Sequence, residues 1–195
     1  MPLFHRYPRA ALAAILCSTL GGCADADLDR PPAETQELGV GAAAKIVRDD
    51  LGIPHVFASF EVDAVYLQGV VHARDRLFQM DTFRRQAEGT LAELLGPSVV
   101  ASDVQLRTFG LRRAAELSLQ MLSPESRRGL AAYAAGVNAV ASAGPLPPEY
   151  AALEISRFRP WTDVDSVMVL KFLAFPVSFD VRDIDRTLTL ASYQA

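Results

Sequence analysis

Residues 69–80 read Gly69-Val70-Val71-His72-Ala73-Arg74-Asp75-Arg76-Leu77-Phe78-Gln79-Met80, and the recurrence of their apolar members decides the fold. Val70, Ala73, Leu77 and Met80 follow alternating three- and four-residue steps. Carried outward, the same steps begin at Leu67 and continue through Ala87, Leu91 and Leu94, skipping only Arg84. Arg74, Asp75, Asp81, Arg85 and Glu88 lie off the stripe, with Asp81 and Arg85 at i,i+4. This pattern predicts an amphipathic helix from about Glu61 to about Leu95, broken at Gly89-Thr90 and stopped by Gly96-Pro97.

On its amino-terminal side, Lys45-Ile46-Val47-Arg48 and Pro54-His55-Val56-Phe57 flank the turn residues Asp49-Asp50-Leu51-Gly52, which predicts a β-hairpin. On the other side two helices are expected. One runs through Ala114, Leu117 and Met121. The next starts at the cap Ser123-Pro124-Glu125 and carries Leu130, Ala134, Val137 and Ala141, ending before Pro145-Leu146-Pro147-Pro148. Thr162-Asp163-Val164-Asp165 approximates a capping box with Asp in place of Glu or Gln. The stretch it opens, Val167–Val177, is apolar nearly all round. Such a helix is expected to be buried on most sides, and an uncovered face would mark a missing partner.

The chain has 195 residues, half of them hydrophobic and 22% charged, which excludes a disordered protein. Two cysteines exclude a disulfide scaffold, and aperiodic Gly and Pro exclude a collagen-like one. A net charge of −4 without a basic tract argues against nucleic acid as a partner.

The first 22 residues read as an address. Arg6 and Arg9 precede the short apolar run Ala10–Leu20, too short to span a bilayer. Leu20-Gly21-Gly22-Cys23 resembles the bacterial lipobox, which implies a lipoprotein-type signal peptide over 1–22 and lipidation of Cys23. An exported protein held by its lipid on the periplasmic side of a membrane is expected, and Ala24, where an Asp would favour the inner membrane, favours the outer one. Residues 23–43 read as a lipid-anchored flexible tether. Asp25, Asp27 and Asp29 open like a calcium loop, but Arg30 and Gln36 stand where an EF-hand needs Gly and Glu, and that reading is rejected. The body of the protein is residues 44–195.

Chemistry is sparse in that body. His55 and His72 read as structural histidines, and no serine elbow, Walker loop, paired-cysteine motif or zinc helix occurs. Asp180, Asp183 and Asp185 follow the apolar helix and read either as a solvated turn or as part of a hard-cation site completed from elsewhere.

The ordered strings Ile46-Val47-Arg48-Asp49, Gly52-Ile53-Pro54-His55, Gly69–Met80 and Leu91-Ala92-Glu93-Leu94-Leu95-Gly96-Pro97 resemble the amino-terminal part of the penicillin acylase (penicillin amidase) family. So do Ala132–Ala139, Leu146–Tyr150 and Pro160-Trp161. The resemblance implies a mostly α segment with a short amino-terminal β-hairpin, the α-subunit part of an α+β N-terminal nucleophile hydrolase (αββα) fold. It also implies a self-processing precursor whose β chain, absent here, supplies the serine nucleophile and acts on a linear amide, such as a penicillin side-chain amide or an acyl-homoserine lactone. No catalytic residue is then expected in this chain, nor an organic cofactor. By the same resemblance Asp183 falls on the α-chain ligand of a structural calcium, and Phe175 and Val177 fall on the stretch lining the acyl pocket. Pro176-Val177 departs from the Arg-Phe pair of the penicillin G acylases, so phenylacetyl specificity does not transfer. The alternative, from another class, is a truncated, non-catalytic lipoprotein serving as a binding or orphan module.

Overall fold

The computed structural model describes residues 44–178 and 182–194; the expected signal segment, the tether, Cys23 and Asp180 lie outside them. Strands β1 (Lys45–Arg48) and β2 (Pro54–Phe57) pair antiparallel, with Lys45 opposite Phe57 and Arg48 opposite Pro54. Asp49 builds the turn: its carboxylate accepts the Leu51 and Ile53 N–H groups at 3.0 and 2.8 Å. Gly52 supplies the left-handed residue (φ 79°) that this return requires.

Helix α1 (Glu61–Glu88) is the spine. Acids Glu61 and Asp63 occupy its positive first turn, and Gly89 (φ 74°) ends it. There the Gly89 and Thr90 N–H groups bond to the Gln86 and Arg85 carbonyls, satisfying the last turn. The helix kinks at Arg76 (φ −146°, ψ 25°) without a proline or glycine, and the hairpin grips that bend through Arg48 and Asp75, 2.6 Å apart. Short helix α2 (Ala92–Leu95) follows, then α3 (Val100–Phe109), α4 (Leu111–Met121), α5 (Pro124–Ala143) and α6 (Pro148–Ala152). Helices α7 (Asp163–Ser178) and α8 (Arg182–Gln194) complete the order.

Helix α5 starts as its cap predicts, the Ser126 N–H donating to Ser123 Oγ at 3.1 Å. It crosses α1 where each helix offers a glycine. A Cβ on Gly69 would lie 2.3 Å from the Tyr133 carbonyl oxygen, and one on Gly136 would lie 2.1 Å from that of Tyr66. The two backbones therefore touch directly, and Leu67, Val70, Leu77, Ala134 and Val137 seal the crossing on either side. A second core joins Ala87, Leu106, Leu111, Ala115, Val167 and Met168, bringing α3, α4 and α7 onto the far end of α1.

Three expectations need correction. Helix α3 was not predicted: its buried positions are Asp103 and Leu106, while Val104 and Phe109 point outward, so no apolar stripe announces it. Helix α4 buries Leu111 and Ala115 and exposes Leu117 and Met121, the reverse of the expected face, because the i,i+4 row Leu111, Ala115 and Leu119 packs with Val167 and Met168 of α7. Helix α7 is not buried on most sides. It buries Asp165, Val167 and Met168 and leaves Leu170, Leu173 and Val177 at 66, 51 and 87% exposure.

Candidate functional site

Helix α7 is rooted at its start in a buried ionic cluster. The Thr162 N–H and hydroxyl both donate to Asp165 Oδ2 at 2.9 Å, and the Asp165 N–H returns a bond to Thr162 Oγ1 at 3.2 Å. The capping box therefore forms with Asp at the third position. The same carboxylate stands 3.6 Å from Nη1 of Arg84, a guanidinium fully withdrawn from solvent. Arg84 also donates through Nε and Nη2 to Asp81 and through Nη1 to the Arg159 carbonyl at 2.7 Å. Its Cζ lies over the rings of Phe158 and Trp161, 4.7 and 5.2 Å from their centroids. Trp161 is fixed in turn by Asn138, which accepts the Trp161 N–H and donates to its carbonyl, and by Ser166.

Asp81, placed off the apolar stripe by the sequence, is fully buried. It accepts from Arg84, from Arg85 Nε at 3.2 Å and from the Tyr150 hydroxyl at 3.1 Å. Burial, then the Asp81 charge, pushes the Tyr150 phenol far up, so it stays a donor. Around this centre Glu88 binds Arg159 through both oxygens, at 3.0 and 2.7 Å, and Arg112 at 2.8 Å. Burial alone would raise the Glu88 carboxyl, but Arg159 and Arg112 hold it below the usual range. Charged residues inside helices read as solvated faces, so periodicity missed this cluster. The one available signal was Arg84 standing on the stripe itself.

Beyond that root, α7 divides into two faces. Met168, Phe172 and Phe175 follow helical steps on the side turned to α3 and α4. The Phe175 ring meets Phe109, the last residue of α3, with centroids 4.9 Å apart and planes tilted by 40°. Leu170, Leu173 and Val177 form the exposed stripe. Phe175 and Val177 are thus not brought onto one face. Asp183 lies in the first turn of α8 with an exposed carboxylate 3.1 Å from Arg186 Nη1. Among the described residues no three His, Cys, Asp or Glu side chains gather as a metal site. α8 also exposes Ile184, Leu188, Leu190 and Tyr193.

The histidines are engaged structurally. His55 Nε2 lies 3.1 Å from Asp49, and its hydrogen bond lowers the Asp49 carboxyl. His72 Nδ1 lies 2.8 Å from the Tyr133 hydroxyl, whose proton burial holds more tightly. Among the described residues neither ring bonds a serine or threonine hydroxyl.

Known proteins resemble this chain throughout the described region. It is 42% identical over 136 residues to penicillin acylase 2 proenzyme of Pseudomonas sp. strain SE83, covering 69% of this chain and 17% of that protein. It is 36% identical over 204 residues to acyl-homoserine lactone acylase QuiP of Pseudomonas aeruginosa, covering 97% and 24%. The chain thus spans at most about a quarter of the curated relatives it matches. The solved thermostable penicillin G acylase from Alcaligenes faecalis superposes with a TM-score of 0.59 at 35% identity, over 65% of this chain and 69% of that one. The model describing the penicillin amidase family matches residues 43–194, and the chain belongs to that family.

Proposed function

We propose that this chain is the α segment of an acyl-amide hydrolase made as a precursor, with the serine nucleophile on a β chain that follows it. The observation that carries this reading is helix α7: an apolar helix in an acylase-family chain, rooted by buried ions at one end and uncovered along Leu170, Leu173 and Val177 at the other. A face of that kind is built to be covered. A relative named as a proenzyme agrees with a processed precursor. Relatives named for penicillins and for acyl-homoserine lactones support small acyl amides as the substrate class.

In this reading Phe175 and Val177 contribute to the acyl pocket. Asp183 becomes one calcium ligand once Arg186 yields it, with the other oxygens coming from outside the described residues. Lipidation at Cys23 would hold the assembled enzyme on the periplasmic face of a membrane, the outer one favoured.

The test is to express the complete gene product that carries this segment and assay it on acyl-homoserine lactones and penicillins. Cleavage into two chains and turnover are expected, while residues 44–195 alone hydrolyse neither. Turnover by the isolated segment, or an intact and inert full product, overturns the reading. Asp183→Ala should lower calcium content or the yield of processed protein.

A further inference from the structure

We infer that Phe109 is a positioning residue for acyl-chain selection, acting through Phe175; this rests on the proposed function above, in which Phe175 borders the acyl site. Phe175 sits in the carboxy-terminal half of α7, beyond the part held by Asp165, Val167 and Met168. At that end its ring meets Phe109.

The helix that carries Phe109 is anchored to the end of α1 and the start of α2. Asp103 accepts the Leu91 and Ala92 N–H groups at 3.1 and 2.7 Å, Arg107 Nε donates to the Gly89 carbonyl at 2.7 Å, and Leu106 is buried in the core with Ala87. Gly110 (φ 69°) turns the chain immediately after Phe109, so the ring stands at a fixed corner between α3 and α4. Phe109 keeps 44% of its surface exposed, so it backs the Phe175 ring from one side and limits its retreat in that direction. The depth available to an apolar acyl chain is then set by the volume of residue 109, although that side chain stands behind the wall. A methylene more or less in such a pocket changes discrimination by about tenfold or more.

The experiment uses the complete gene product. Phe109→Ala, Phe109→Leu and Phe109→Trp are compared with wild type on acyl-homoserine lactones of four to twelve carbons, with kcat and KM read separately. Formation of the two chains is followed on a gel. Phe109→Ala and Phe109→Leu should raise the long-chain to short-chain ratio of kcat/KM, by about tenfold for Ala and less for Leu, and Phe109→Trp should lower it. If Phe109→Ala fails to mature, Phe109→Leu and Phe109→Trp decide the matter by their opposite signs. A purely structural role changes all chain lengths in parallel, and that outcome overturns the inference while leaving an active wild type to support the proposed function. A wild type inert on every amide removes both.

Discussion

Arg84 of α1 and Asp165 of α7 stand 3.6 Å apart with side chains 0 and 2% exposed. Arg84 also pairs with the fully buried Asp81, so removing it takes a partner from two buried carboxylates, and breaking a buried ion pair costs about 3–5 kcal/mol. Arg84→Ala should lower the unfolding free energy of residues 44–195 by that order in urea titrations. Arg84→Lys should recover little, because one ammonium cannot serve Asp81, Asp165 and the Arg159 carbonyl at once while facing both Phe158 and Trp161.

Gly69 and Gly129 both sit in helix interiors, yet alanine should act in opposite directions at the two positions. At Gly69 the new methyl collides with the Tyr133 carbonyl, so Gly69→Ala should destabilise by about 1–3 kcal/mol despite alanine's better helix propensity. At Gly129 a Cβ meets nothing within 4 Å, and Gly129→Ala should stabilise by about 0.5–1 kcal/mol. Thermal melts of the two variants check both signs.

What the sequence made legible divides along a physical line. The hairpin, the Ser123 and Thr162 caps and the Gly89 break rest on residues that act within a few positions of themselves, and each appears where expected. Asp81 and Asp103 act at long range, on Tyr150 and on the start of α2, and their charge disguised their burial. The outward stripe of α7 was hidden because Leu170, Leu173 and Val177 look the same whether a helix is covered by its own chain or awaits another. Phe175 and Val177, two positions apart in the sequence, separate once the helix turns. Phe109 had no sequence signal, since its meaning comes only from the ring it touches.

Glu88 makes stability depend on acid. Its carboxyl lies below the usual range in the folded chain, so it contributes fully above the ordinary glutamate range, about pH 4.3, and loses that contribution as pH falls through its depressed native value. Glu88→Gln should therefore be less stable than the parent at pH 7, with the difference shrinking below about pH 4. Urea midpoints at the two pH values provide the comparison.

Glu154 is the non-glycine residue with positive φ (57°) among the described residues; it follows α6, where the Ile155 N–H returns to the Tyr150 carbonyl at 2.8 Å. An L side chain in that region costs about 1 kcal/mol that glycine does not. Glu154→Gly should raise the melting temperature of the segment, and an unchanged or lowered midpoint would show that the glutamate contributes more than its backbone costs.

The shortened acid of the α7 capping box has a consequence for how this chain can change over generations. Asp165 opens a helix and balances the charge of Arg84 on another, so a substitution that suits one duty can still fail the other. Glutamine at 165 would cap but leave the cation to Asp81 alone; leucine at 84 would remove the cation and leave both Asp81 and Asp165 buried without it. Positions 84 and 165 are therefore expected to vary among relatives as one heritable unit, changing together or holding still together.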